Sequence, residues 1–127
     1  LASETTKEPL DQEVVELASA ILSDFYAGKL RDTAQVSYLD RIRTGTVLAR
    51  ELPFYLVHNH ETWNGVIDLV LEEDGVIRAI DYKSTMARDP LPERYRQQQT
   101  IYTEALQRAL PGRNIDFEFW WLGRAES

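Results

Sequence analysis

Residues 65–84, with the sequence GVIDLVLEEDGVIRAIDYKS, decide the fold of this chain. Two apolar runs flank Asp74-Gly75, and Asp-Gly between alternating apolar residues is the strongest short signal for a β-hairpin. A two-residue turn at this dipeptide pairs Glu73 with Val76 and fixes every other pair of the two strands. The stretch therefore predicts an antiparallel hairpin with a defined register.

Counting outward from that turn in equal steps places Asp68 directly opposite Asp81. Opposed residues of an antiparallel pair hold their Cβ atoms about 5 Å apart, and like charges there destabilise the sheet. Strand alternation puts Lys83 on the same face, among four apolar neighbours. These neighbours are Val66, Val70, Ile77 and Ala79.

One lysine cannot neutralise two buried carboxylates, so this face needs a further positive charge. Magnesium takes one or two protein carboxylates and completes its shell with water and phosphate oxygens. The pattern therefore favours a site for a hard divalent cation and an anionic ligand. The alternative is a structural ion pair between Asp81 and Lys83, with Asp68 near a strand end.

Length and composition indicate one compact domain with its own core, because the chain has 127 residues of which 43% are hydrophobic. The chain begins at Leu1 rather than Met, so we expect a fragment of a longer polypeptide. No apolar run approaches the roughly 18 residues of a membrane span, and no signal peptide opens the sequence. We therefore expect a cytoplasmic protein that does not enter the membrane. Cysteine is absent, which excludes disulfides, cysteine nucleophiles and cysteine-ligated zinc or iron–sulfur sites.

Charge is distributed unevenly along the chain, whose net charge is -7. Residues 1–77 carry six basic and fourteen acidic side chains, whereas residues 78–113 carry seven basic and four acidic ones. Basic density close to a pair of carboxylates suits a phosphate backbone. A helix that carries solvated arginines explains the same pattern equally well.

Periodicity and turn residues predict three helices and four strands. The helices are expected at residues 11–27, at 93–110, and from a capping box at residues 32–35 to Arg43; the strands are expected at 46–57, 63–71, 76–84 and 114–122. Pro53 argues for an edge position of the first strand, since proline cannot donate to the ladder. The helix between the third and fourth strands is long enough for a crossover, which makes those strands parallel. The predicted fold class is α/β, a mixed sheet flanked by helices.

Several short motifs in this order together resemble the PD-(D/E)XK nuclease superfamily, and in particular the RecB/AddA-type nuclease domains fused to DNA helicases. The motifs are Asp68, Asp81-Tyr82-Lys83 and Gln98-x-x-x-Tyr102, together with Glu51-Leu52-Pro53-Phe54, Gly65-x-x-Asp68 and residues 95–106. The resemblance covers roughly residues 47–122 and implies a restriction-endonuclease-like αβββαβ core. It also implies one nuclease-like domain over residues 1–127, with N-terminal helices in 1–45 and the catalytic core in 46–122.

The resemblance implies metal-dependent hydrolysis of DNA by an exonuclease domain of a helicase-nuclease in DNA repair or recombination. It makes Asp68, Asp81 and the backbone carbonyl of Tyr82 ligands of Mg²⁺ or Mn²⁺, makes Lys83 the residue that orients or activates the attacking water, and makes Gln98 and Tyr102 residues that position DNA or support the site. The expected partners are DNA and helicase domains of the same or another chain. An iron–sulfur cluster, which some relatives carry, is not expected.

A third metal ligand is the open question, because RecB-type nucleases usually carry a histidine on an upstream helix and nothing here matches that segment. The candidate replacements are His58, His60, Glu51, and Glu13 or Glu16 on the first helix. The alternative function is a catalytically weak or inactive nuclease-like module that binds DNA or acts as a scaffold in a helicase assembly. A small-molecule metal hydrolase is less favoured, because the chain has no histidine cluster or phosphate-binding glycine loop.

Overall fold

The computed structural model describes the backbone of residues 12–87 and 90–123 and the side chains of residues 19–87 and 90–123. In chain order the elements are α1 (Gln12–Tyr26), α2 (Tyr38–Thr44), β1 (Thr46–His58), β2 (Glu61–Glu73), β3 (Val76–Lys83), α3 (Glu93–Ala109) and β4 (Asn114–Trp121). This order confirms the predicted α/β class. None of the helices within these described ranges has the length and apolarity needed to cross a membrane.

The four strands form one mixed sheet in the order β1-β2-β3-β4. The two pairs that involve β2 are antiparallel, and β3 pairs with β4 in parallel. Helix α3 makes the crossover between the parallel strands, which confirms the predicted connection. Strand β1 is an edge strand, as Pro53 predicted.

The hairpin turn between β2 and β3 has the predicted conformation. Asp74 and Gly75 both have positive φ angles, 51° and 84°, as a two-residue hairpin turn of this kind requires. The ladder then runs in the predicted register from Glu73–Val76 to Leu69–Ile80. The turn dipeptide therefore predicted correctly where the two strands bring their side chains together.

Hydrophobic clusters cover both faces of the sheet. Beneath α3 the buried members are Ile67, Val70, Ile77, Ala79, Leu106 and Phe117. On the face toward α1 and α2 they are Tyr38, Leu69, Leu71, Ile80 and Trp120. The Tyr38 ring stacks on Trp120 with the ring centroids 4.5 Å apart. Burial of such large apolar side chains, at about 1.5–3 kcal/mol each, is the main force that holds the helices on the sheet.

Ion pairs of Arg41 also join α2 to the sheet. Its guanidinium donates to both carboxylate oxygens of Glu73, at 2.6 and 3.0 Å, and to both of Glu118, at 2.7 and 2.8 Å. It also lies 5.3 Å from the ring centroid of Trp120. The hydrogen bond from Arg41 lowers the pKa of the Glu73 carboxyl. Helix α2 is therefore fixed by an ion-pair network in addition to its apolar face.

The predicted start of α2 is wrong. The Asp32 carboxylate accepts the N–H groups of Ala34 and Val36, both at 2.9 Å, and Gln35 has a φ of 67°. The side chain thereby stabilises a local turn instead of a helix. The helix begins at Tyr38, where Ser37 Oγ accepts the Asp40 N–H at 3.1 Å.

The alternation of side chains along β2 is interrupted at Asp68. The prediction of which residues before Asp68 face α3 is therefore wrong. Val66 was expected beside Val70, but Ile67 packs with Val70 in the cluster beneath α3 and Val66 is 45% exposed. In the ladder between β1 and β2, the residues before and after Asp68 are paired. Asp68 and the residue opposite it, Glu51, are not paired. Glu51 has a φ of 48°, so the backbone opposite Asp68 also departs from regular strand geometry.

Candidate active site

Asp68 and Asp81 lie where the regular pairing of β2 and β3 stops. The last ladder pair is Leu69–Ile80, so the predicted Asp68–Asp81 pair falls just beyond it. Here the Asp68 carboxylate accepts the backbone N–H of Tyr82 at 2.8 Å. The side chain replaces a strand-to-strand hydrogen bond, which holds Asp68 against the segment Asp81-Tyr82-Lys83. The structure thus brings the two predicted carboxylates to one place, although not as a regular ladder pair.

The Asp81 carboxyl is buried, with 5% of the residue exposed. Burial raises its pKa above the usual range, the ion pair with Lys83 lowers that pKa, and the nearby Asp68 raises it again. Asp81 Oδ2 lies 2.8 Å from Lys83 Nζ, yet within the described part of the chain it accepts no well-aligned hydrogen bond. A buried carboxylate oxygen with unused acceptor capacity is a suitable ligand for a cation.

Lys83 links the carboxylates to α3. Its ammonium group donates to Gln98 Oε1 at 2.9 Å and forms the ion pair with Asp81. Gln98 Nε2 in turn donates to the Tyr102 hydroxyl at 3.2 Å. The structure therefore joins Asp81, Lys83, Gln98 and Tyr102, all predicted site residues, in one chain of polar contacts.

Close packing holds Tyr102 in this chain of contacts. Its ring lies 5.0 Å from that of Phe54 on β1 and 5.9 Å from that of Phe117 on β4, both edge to face. Gly65 on β2 makes room for this cluster, because a Cβ there would lie 2.6 Å from a Phe54 ring carbon. Phe54 and Gly65, which belong to two of the motifs noted in the sequence, thus hold Tyr102 in place. Tyr102 in turn accepts the hydrogen bond from Gln98.

Tyr95, the first residue of the motif at residues 95–106, was not predicted as a site residue, yet it is a neighbour of Lys83. Lys83 Nζ lies 4.3 Å from the centroid of the Tyr95 ring, a cation–π contact. Tyr95 is 8% exposed and packs on Phe119 and Trp121 of β4. The available signal was its position three residues before Gln98, which puts both side chains on one face of α3.

The residues present fit a magnesium-type ion. Two carboxylates beside the backbone of Tyr82, one with a buried oxygen that keeps acceptor capacity beside Lys83, match the few protein ligands that Mg²⁺ uses. Among the described residues, however, no group of three or more His, Cys, Asp or Glu side chains could hold a metal. The described residues therefore offer two carboxylates for such an ion.

The candidate third ligands whose side chains are described do not join Asp68 and Asp81 in a group of three. His58 ends β1, where its Nδ1 lies 2.6 Å from Glu104 Oε1, and His60 is exposed in the following turn. Glu51 is exposed on β1. Glu13 and Glu16 lie outside the residues whose side chains are described, so they stay predictions.

Known proteins similar to this chain identify its family. A family model described as the PD-(D/E)XK nuclease superfamily matches residues 1–125. The chain is similar to an ATP-dependent helicase/nuclease subunit from Anoxybacillus flavithermus (strain DSM 21510 / WK1), with 39% identity over 77 residues. That alignment covers 53% of this chain and 6% of the relative, so the chain spans a small part of the relative's length. No solved structure matches the chain significantly.

Proposed function

The chain belongs to the PD-(D/E)XK nuclease superfamily, and from this membership we propose that it is a Mg²⁺- or Mn²⁺-dependent nuclease that hydrolyses DNA. The observation that carries the proposal is the convergence of Asp68, Asp81 and Lys83 at the end of one hairpin. Two carboxylates can hold a divalent ion that activates water and polarises phosphoryl oxygens, and a fixed cation can stabilise the charge that develops in the transition state.

Asp68 and Asp81 would hold the metal, together with the backbone carbonyl of Tyr82. A bound divalent ion lowers the pKa of water and stabilises charge on phosphoryl oxygens. The Tyr82 N–H restricts the Asp68 carboxylate to one orientation, and burial does the same for Asp81. A site fixed before the substrate arrives needs little reorganisation during the reaction.

Lys83 would face the scissile phosphate and the attacking water. Its ammonium stays next to Asp81 because Gln98 accepts one of its N–H groups and Tyr95 lies against it. A cation held in this way stabilises the negative charge that develops in the transition state. Gln98 and Tyr102 thus act by positioning Lys83, and Gln98 is also near enough to the site to contact DNA.

The wider role rests on the relative's name and on the resemblance found in the sequence. We propose an exonuclease domain of a cytoplasmic helicase-nuclease that acts in DNA repair or recombination, with helicase domains as partners. Within it, residues 1–45 would supply N-terminal helices and residues 46–122 the catalytic core of a single domain. The positions of β1 to β4 and α3 within 46–122 support this division.

The test is cleavage of end-labelled linear and closed circular DNA, single- and double-stranded, with Mg²⁺, with Mn²⁺ and with EDTA. We expect degradation of linear DNA only when a divalent ion is present, and resistance of closed circles. Cleavage of circles would replace the exonuclease assignment by an endonuclease, and cleavage in EDTA would refute metal dependence.

A second candidate is a nuclease-like DNA-binding module without catalysis. The lack of a three-ligand group among the described side chains favours it. DNA binding without cleavage under any of the metal conditions would support this module and refute the nuclease.

A further inference from the structure

Most of the described arginines on α3, next to its C-terminal end and on β3 are paired with carboxylates. The pairs are Arg78 with Glu73 and Asp116, Arg96 with Glu93, Arg108 with Glu104, and Arg113 with Glu72. Arg94 differs from them: it is exposed and, in the ranges that the structure describes, forms no ion pair. Its guanidinium carbon lies 4.7 Å from the centroid of the Tyr95 ring.

Tyr95 therefore carries two cations on one ring. Lys83 Nζ lies 4.3 Å from the centroid and the Arg94 guanidinium 4.7 Å from it. The ring is fixed by burial against Phe119 and Trp121, so both cations are held near the site. The charge of Lys83 is balanced by Asp81, whereas that of Arg94 is not balanced in the described structure.

The position of Arg94 in its helix makes this imbalance informative. Arg94 and Arg96 both lie in the first turn of α3, where positive side chains oppose the helix dipole. Arg96 is compensated by Glu93 and by a hydrogen bond to the Leu91 carbonyl oxygen. Arg94 has only the aromatic ring among the described residues, so an external anion would relieve the unfavourable position of its charge.

The proposed function supplies such an anion close to Lys83. If Lys83 faces the scissile phosphate, the anions brought with it are the neighbouring phosphates of the same strand. A guanidinium is well suited to them, since its planar donors bind phosphate oxygens in pairs.

We propose that Arg94, held against the Tyr95 ring, binds a backbone phosphate next to the one at the catalytic site. This inference rests on the proposed nuclease function. A phosphate contact is independent of base sequence and fixes the register of the strand. Arg94 is thus a substrate-binding residue, and Tyr95 is the residue that positions it.

The experiment is fluorescence anisotropy of a labelled single-stranded oligonucleotide in EDTA, so that no cleavage interferes, over a series of KCl concentrations. For Arg94→Gln we expect Kd to rise roughly threefold to tenfold and the slope of log K against log salt to fall by about 0.7, the value of one lost phosphate contact. The matched control, Arg96→Gln, removes the same charge from the same turn of α3. Because Arg96 is already paired, its variant should keep the unaltered slope and a Kd within about twofold.

Tyr95 variants separate positioning from charge. Tyr95→Phe keeps the ring and should bind like the unaltered chain, whereas Tyr95→Leu should lower the salt slope as Arg94→Gln does. Circular dichroism establishes that each variant is folded. In Mg²⁺, the cleavage KM of Arg94→Gln should rise more than its kcat falls.

The outcomes distinguish this inference from the proposed function. Equal salt slopes for the Arg94 and Arg96 variants overturn the Arg94 contact, even if the chain cleaves DNA. A chain that binds but never cleaves refutes the nuclease, while the two slopes still decide the role of Arg94. If the unaltered chain does not bind DNA, both proposals fail.

Discussion

Lys83 makes contacts of three kinds: an ion pair with Asp81, a hydrogen bond to Gln98 and a cation–π contact with Tyr95. Its side chain is 17% exposed, so much of the hydration of the ammonium is replaced by these groups. Removing one partner from a buried ion pair leaves an uncompensated charge, which costs more than the pair contributes. The arrangement is therefore consistent with the proposed role of Lys83 as a fixed cation for a substrate.

Gln98→Leu tests whether the amide acts through Lys83. The change removes the acceptor for the ammonium and the donor to Tyr102, so Lys83 loses its fixed position. We expect kcat for DNA cleavage to fall roughly 10- to 100-fold, less than the about 10²–10³-fold lost with a group that contacts the transition state directly, because Gln98 acts through Lys83. The control is Gln97→Leu, since Gln97 is the exposed neighbour on the same helix. Equal rates for the two variants would contradict the role of Gln98.

Gly65→Ala tests the close approach beneath Tyr102. The added Cβ would lie 2.6 Å from the Phe54 ring, so that ring, which packs on Tyr102, must shift. We expect the free energy of unfolding in urea to fall by about 1–3 kcal/mol, as for other overpacked cores. Cleavage should fall as well, because Tyr102 supports Gln98. A loss below about 0.5 kcal/mol, the size of an ordinary surface substitution, would show that the Phe54 and Tyr102 rings accommodate the added methyl group.

At the scale of elements, α2 shows how a short helix is held on the sheet. Seven residues form too short a helix to be stable alone. Tyr38 stacks on Trp120, and Arg41 binds Glu73 and Glu118. Neither contact was visible in the sequence, because both join residues that are far apart in the chain.

Arg41→Met should therefore loosen α2. The Arg41 side chain is 12% exposed, and its partners are 17% and 27% exposed. Because the partners keep some contact with water, we expect a loss of about 2–3 kcal/mol, at or below the range of ~3–5 kcal/mol for fully buried pairs. Urea unfolding measures it, with Arg43→Met as the control on the exposed side of the same helix. A similar loss in both variants would show that charge pairing is not what fixes α2.

Glu73 gives the same network a pH dependence. Its folded-state pKa is lowered, first by the hydrogen bond from Arg41, below the ordinary value of 4.5. The ionised group therefore contributes stability above about pH 4.5, and this contribution is lost as the pH falls through the lower folded-state pKa. Urea unfolding from pH 7 to pH 3 should show stability falling in acid, and Glu73→Gln should make that fall shallower. An unchanged profile in the variant would exclude Glu73 as a source of the acid sensitivity.

At the scale of the whole molecule, local signals predicted the architecture well. The Asp74-Gly75 turn gave the register of β2 and β3, Pro53 placed β1 at the edge, and the crossover length made β4 parallel. Each of these follows from backbone rules that act over a few residues. The start of α2 was missed because the Asp32 side chain favours a turn as readily as a helix cap.

The candidate site was predictable only in part. The motifs named Asp68, Asp81, Lys83, Gln98 and Tyr102, and the structure brings them together. The reversal of faces at Asp68 was not predictable, because strict alternation along β2 was assumed and no residue type in that stretch marks the break. The contacts of the Tyr95 ring with Lys83 and Arg94 were also not predicted, because they depend on how α3 packs on β4.

Asp68, Asp81 and Lys83 are proposed to form a metal-dependent centre that cleaves DNA. Its most direct test is the single-turnover cleavage rate of end-labelled linear DNA at saturating Mg²⁺, compared between the unaltered chain, Asp81→Asn and Asp116→Asn. Asp116 is exposed on β4 and serves as the matched control. We predict that Asp81→Asn lowers the rate by at least about 100-fold, since it removes charge at the metal, while Asp116→Asn leaves it nearly unchanged. Equal rates for Asp81→Asn and the unaltered chain would contradict the assignment of this site.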